Sequence, residues 1–144
     1  AGVAAYVPTG SRMHLIRLPE GRLLIDDCYN ANPQAMAEAL KLLAAASFRR
    51  RAAVLGDMGE LGELTVSAHR AIGALTGELH LDSVIAIGEK ARDIASAASN
   101  AQWFPSVEDA LPAVRAAFTG GTAMLVKASH AMHFENIVKE LEQS

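Results

Sequence analysis

The run Asp26-Asp27-Cys28-Tyr29-Asn30-Ala31-Asn32-Pro33 places two carboxylates, a phenol and two amides in one short stretch, directly after the apolar residues Leu23-Leu24-Ile25. Carboxylates leaving a strand can accept from ribose hydroxyls, and Tyr or Asn can stack on or bond to a base. On spacing alone the structural use is the simpler one: Asn32 caps the helix that follows, and Asp26 or Asp27 accepts backbone N–H groups. A second segment, Gly56-Asp57-Met58-Gly59-Glu60-Leu61-Gly62-Glu63, is too long for a tight turn. It can seat an amine or a magnesium-bound ligand, or serve as an acidic loop before a helix N-terminus. The third, Lys127-Ala128-Ser129-His130, ends an apolar run and is expected to open a helix. Lys127 with helix N–H groups can hold a carboxylate or phosphate; alternatively its side chain extends to solvent beside a Ser cap.

Other candidates are weaker. His69 falls on an apolar helical stripe and reads as a satisfied, semi-buried histidine. His130 and His133 have no third ligand nearby in the chain, so no zinc site is expected. Neither G-x-x-x-x-G-K-[ST] nor G-x-G-x-x-G occurs, so these motifs cannot cradle a triphosphate here.

The elements that must position these residues follow from periodicity. Met13 to Ile16 and Leu23 to Ile25, separated by Pro19-Glu20-Gly21, predict a hairpin. Met36, Leu40 and Leu43 predict a helix from Pro33 to about Ala46. The continuous apolar runs Ala52 to Leu55, Val84 to Ile87 and Ala123 to Lys127 predict strands buried on both faces, with Trp103-Phe104 as a shorter one. Between them lie helical stripes: Val66, His69, Ile72, Leu75 and Leu79; then Ala91, Ile94, Ala95 and Ala98; then Val107, Ala110, Leu111, Val114 and Phe118. A final helix carries Phe134, Ile137, Val138 and Leu141. This alternation predicts a three-layer, Rossmann-like α/β domain: a mostly parallel sheet flanked by helices, plus the N-terminal β-hairpin. In such a sheet ligands meet the loops at the carboxyl ends of the strands, where all three candidate segments fall.

Composition narrows the partners. A chain of 144 residues, 51% hydrophobic and 20% charged, suits one compact domain. Net charge −3 supplies no positive field for nucleic acid or an anionic membrane, and the Arg49-Arg50-Arg51 run reads as a solvated helix end or loop. The single cysteine, Cys28, allows no internal disulfide, and no apolar run approaches the length of a membrane span. A soluble cytoplasmic domain is expected. The start at Ala1 rather than Met suggests a piece of something longer.

Taken together, Ile25 to Pro33, Val54 to Gly62, His69 with Ile72-Gly73, and Val126 to Ser129 with Met132 and Glu135 resemble the C-terminal domain of the Mur ligases. The Asp-Asp-x-Tyr-Asn-Ala-Asn-Pro and Gly-Asp-Met-x-Glu-Leu-Gly runs are most similar to the member that adds D-alanyl-D-alanine to the UDP-N-acetylmuramoyl-tripeptide. The resemblance implies residues 1–11 as a hinge from a central domain and 12–144 as the C-terminal domain of a monomeric bacterial enzyme. In that family ATP phosphorylates the tripeptide carboxylate and the dipeptide amine attacks the acyl phosphate. The N-terminal and central domains hold the UDP-sugar, the phosphates and Mg2+, so no catalytic residue is expected within this domain, and it should be inactive alone. Carried over by motif, Arg12, Asp26, Asp27, Tyr29, Asn30 and Asn32 are expected on the nucleotide, with one aspartate on the ribose. Asp57, Glu60, Lys127, Ser129 and His130 are expected toward the amino substrate. Two residues depart from the family pattern: His130 stands where Arg is frequent, making any charge there pH-dependent, and Cys28 stands where Ser is usual. The competing readings are a sibling Mur or folylpolyglutamate-type ligase domain and a free-standing nucleotide-binding regulatory module.

Overall fold

A computed structural model describes residues 13–27 and 31–144, so the assignments made to the 1–11 hinge and to Arg12, Cys28, Tyr29 and Asn30 lie outside the described residues. The chain opens with a hairpin, β1 (His14–Leu18) and β2 (Arg22–Asp26), antiparallel with His14 opposite Asp26. Helix α1 (Pro33–Ala45) leads to β3 (Arg50–Gly56), and α2 (Thr65–Glu78) to β4 (Ser83–Ile87). Then α3 (Arg92–Ala97) leads to β5 (Ala101–Phe104), and α4 (Val107–Ala117) to β6 (Thr122–Lys127). Helix α5 (Glu135–Glu142) closes the chain.

The sheet order is β1-β2-β6-β3-β4-β5, and every pairing after the hairpin is parallel. Strand β6 is buried along its whole length, which explains its unbroken apolar run: alternate side chains feed two separate cores. Ala123 and Leu125 join the core under α1, α2 and α3, including Met36, Leu40, Ile72 and Ile94. Met124 and Val126 join the one under α4 and α5, including Val114, Phe134, Ile137 and Leu141. The predicted three layers are therefore present.

Topology locates the crevice. The chain leaves β2 and β3 toward the α1/α2 face, but leaves the intervening β6 toward the α5 face. Loops therefore part on either side of the carboxyl end of β6, which is where open sheets of this kind admit ligands.

Three local expectations need correction. On α2 the buried positions are His69, Ile72, Gly73 and Thr76, while Val66 is 52% exposed and Leu75 and Leu79 are only partly covered. The stripe was sought among large apolar residues. The helix instead turns its small residues inward, because Gly73 lets it approach α3 closely. After β6 the chain forms only a 3₁₀ turn, His130–Met132, and α5 begins at Glu135, so Lys127 does not run directly into an α-helix. Lastly, β3 starts at Arg50, so two arginines of the basic run belong to the strand; Arg51 donates from Nη1 to Ala44 O at 2.6 Å, compensating the carbonyl end of α1.

Candidate functional site

Strand alternation separates the two neighbouring aspartates. Asp26 shares a face with its cross-strand partner His14, whose Nδ1 lies 3.9 Å from Asp26 Oδ2, and its side chain keeps 20% exposure. Asp27 turns to the opposite face, where Lys127 Nζ donates to its Oδ2 at 2.8 Å. Their side chains are only 9% and 3% exposed, and the Asp27 N–H bonds Val126 O at 3.0 Å, continuing the β2–β6 ladder by one residue. Two residues expected on different ligands are thus brought together in one buried ion pair. Asn32 caps α1: its Oδ1 accepts from the Ala35 N–H at 2.8 Å, with Pro33 in the first turn. Its carbonyl oxygen is committed to the helix.

The second segment is anchored rather than loose. Met58 is fully buried, and its N–H donates to His69 Nε2 at 3.0 Å; His69 Nδ1 lies 2.6 Å from Thr65 O. Since the Met58 N–H can only donate, Nε2 accepts, and the proton sits on Nδ1, facing a carbonyl. Both His69 nitrogens are satisfied, as the sequence suggested, but the residue is completely rather than partly buried. Asp57 turns inward as well, accepting from the Ala91 N–H at Oδ1, 2.8 Å away. Only the stretch from Gly59 to Leu64 faces outward, and Glu60 takes a left-handed φ of 60° there, which is costly for a side chain with a Cβ.

Between these loops lies an open cleft of about 260 Å3, lined by Ala31, Gly59, Glu60, Ser129 and Ala131. Four of the five lining residues come from the three segments singled out by sequence, and Ala131 directly follows the third. Of the residues assigned to the amino substrate, Glu60 and Ser129 line it. His130 stands exposed in the 3₁₀ turn, its ring centroid 6.1 Å from that of His133. At the start of α5, Glu135 accepts from His133 Nδ1 at 3.2 Å. Its carboxyl is held below the usual carboxylate range, first by a backbone hydrogen bond and then by His133.

A fourth loop escaped the sequence reading. The Gly88-Glu89-Lys90-Ala91 turn, at the carboxyl end of β4, touches Asp57 through Ala91 and through Gly88, where an added Cβ would fall 2.5 Å from Asp57 Oδ1. The signal was available, because the strand-end rule applied to the other loops applies to β4 too.

Residues 11–130 match the family model described as Mur ligase, glutamate ligase domain. The chain belongs to the Mur ligase family. Among relatives, the UDP-N-acetylmuramoyl-tripeptide–D-alanyl-D-alanine ligase of Bacillus subtilis (strain 168) is 33% identical over 150 residues, covering 99% of this chain and 33% of the relative. The ligase of the same description from Escherichia coli (strain K12) is 29% identical, covering 100% of this chain and 32% of the relative. The chain thus spans about a third of the length of the curated relatives it matches. Among solved structures, MurF from Acinetobacter baumannii superposes with a TM-score of 0.84 at 28% identity, over 99% of this chain and 32% of that one. The MurF ligase from Thermotoga maritima in complex with ADP gives 0.80 at 26%, over 97% and 32%. Both the family and the three-layer fold agree with what the motifs implied.

Proposed function

We propose that this Mur ligase domain is the C-terminal part of an ATP-dependent, cytoplasmic enzyme of peptidoglycan synthesis that joins D-alanyl-D-alanine to a UDP-N-acetylmuramoyl-tripeptide. The observation that carries the reading is the cleft. Four of its five lining residues belong to the runs whose residue order resembles the D-alanyl-D-alanine-adding member, and relatives bearing that activity in their names align along 99% or more of the chain.

The positions of the described side chains support the following roles. Asp26, whose side chain keeps 20% exposure at the carboxyl edge, is the aspartate suited to accept from ATP ribose hydroxyls, whereas Asp27 is buried against Lys127. Arg12, Tyr29 and Asn30 complete the nucleotide side in this reading, with Asn32 shaping it as a helix cap. Glu60 and Ser129 face the amino substrate, with His130 at the rim, and Lys127 supports the site through Asp27 rather than by touching a ligand. Mg2+ and the phosphates are assigned in this reading to the other domains of the ligase, as the family resemblance implies. No described helix is long and apolar enough to cross a membrane.

The chemistry is that of acyl phosphates: ATP phosphorylates the tripeptide carboxylate, the dipeptide amine attacks the activated carbon, and phosphate leaves as the amide forms. This domain contributes by holding the nucleotide and the amine in register. The full-length parent, given ATP, Mg2+ and the UDP-linked tripeptide, should release phosphate only when D-alanyl-D-alanine is added, and should yield the UDP-linked pentapeptide. Turnover with single amino acids but not with the dipeptide would instead make it a sibling ligase.

A further inference from the structure

Asp57 was expected to face the incoming amine, yet its bonds run between loops. Oδ1 accepts the Ala91 N–H at 2.8 Å, and its backbone carbonyl accepts the Ser129 N–H at 3.0 Å. The loops so joined leave three adjacent strands, β6, β3 and β4. Their geometry leaves no slack, since a Cβ on Gly88 (φ 114°) would fall 2.5 Å from Asp57 Oδ1 and 2.9 Å from Met132 Cε. The β4 turn is itself fixed to β5: the Gly88 N–H bonds Phe104 O at 3.0 Å, and Trp103 Nε1 donates to Gly88 O at 2.6 Å. One residue along, the Met58–His69 bond pins the start of the outward stretch that carries Glu60.

We infer that Asp57 is a positioning residue: its carboxylate and carbonyl form a bracket that sets the spacing between the Glu60 and Ser129 walls of the cleft, and its charge is not spent on the substrate. The bracket ties both walls to the rigid β4–β5 corner before any ligand arrives. A site held this way does not have to order its loops during binding, which favours productive alignment of the amine.

The kinetic half of this inference rests on the ligase reading; the structural half does not. Asp57→Asn keeps an acceptor oxygen for the Ala91 N–H but removes the charge, whereas Asp57→Ala removes both. In the 144-residue chain, amide exchange at Ala91 should quicken about tenfold or more in Asp57→Ala and stay within about threefold of the parent in Asp57→Asn, whereas Ser129, bonded to the backbone carbonyl that both variants keep, should change less than Ala91. In the full-length ligase, kcat/KM for the dipeptide should fall about tenfold or more in Asp57→Ala and within about threefold in Asp57→Asn. Equal losses in both variants, with Ala91 exchange unchanged in Asp57→Ala, would overturn the inference and make the carboxylate a direct ligand contact. Should Asp57→Ala fail to fold, Asp57→Asn alone decides: parental activity supports the bracket, and a tenfold loss with parental Ala91 exchange refutes it. If the parent does not use D-alanyl-D-alanine at all, the ligase reading fails, while the exchange rates still report on the bracket.

Discussion

Replacing Lys127 by methionine should destabilise the domain by about 3–5 kcal/mol, because the exchange strands the Asp27 carboxylate in a site only 9% exposed. The size of the effect comes from what remains, not from the intrinsic strength of the pair. In the parent the 2.8 Å contact offsets the desolvation of both ions, and removing one partner leaves the other charge uncompensated. Such a loss is a large share of the roughly 5–15 kcal/mol by which domains are stable. The double variant Lys127→Met with Asp27→Asn should recover most of it, since two neutral side chains of similar volume need no counter-charge. Urea unfolding of the parent, the single and the double variant measures all three. A single variant within about 1 kcal/mol of the parent would mean that water or a rearranged side chain compensates Asp27.

Gly73→Ala should cost about 3 kcal/mol although Gly73 lies inside α2, where alanine ordinarily gains about 0.5–1 kcal/mol. The sign reverses because a Cβ there would sit 2.2 Å from Ile94 O and 3.0 Å from the Cβ of Ala97. The nearer atom belongs to the α3 backbone, so no side-chain rotation relieves the clash and the helices must separate. Thermal unfolding of Gly73→Ala should show a lower midpoint. Gly77→Ala is an internal control on the same helix, where the nearest atom to an added Cβ is Ser99 Oγ at 3.5 Å; it should change stability little or raise it slightly. If both alanines proved equally harmless, the close α2–α3 approach would be wrong.

These positions show how far residue order carries. The buried strands were legible because β3, β4 and β6 are covered on both faces and therefore read as continuous apolar runs. The crevice was legible because parallel topology sends candidate loops to one edge of the sheet, and because the motif runs fall in those loops. The face of α2 was not: periodicity weighs large apolar residues, whereas this helix buries Gly73 and Thr76 to reach α3. Pairings distant in sequence were equally invisible. Nothing local indicates that Lys127 spends its charge on Asp27, a hundred residues earlier, or that Asp57 reaches Ala91 in the turn that follows the next strand. Residue type identified which groups gather at the carboxyl edge; the division between groups that face the cleft and groups that build it came only with register and side-chain direction.

In the function proposed above, amino-substrate recognition takes place between the β3 and β6 loops at this edge. Hydrogen exchange of the full-length protein tests it directly, with a non-hydrolysable ATP analogue and the UDP-linked tripeptide present before and after D-alanyl-D-alanine is added. New protection should appear in residues 57–64 and 127–134, with the turns around Glu20 and Gly121 at the opposite end of the sheet unchanged. Dipeptide-dependent protection that spares both cleft loops would contradict it.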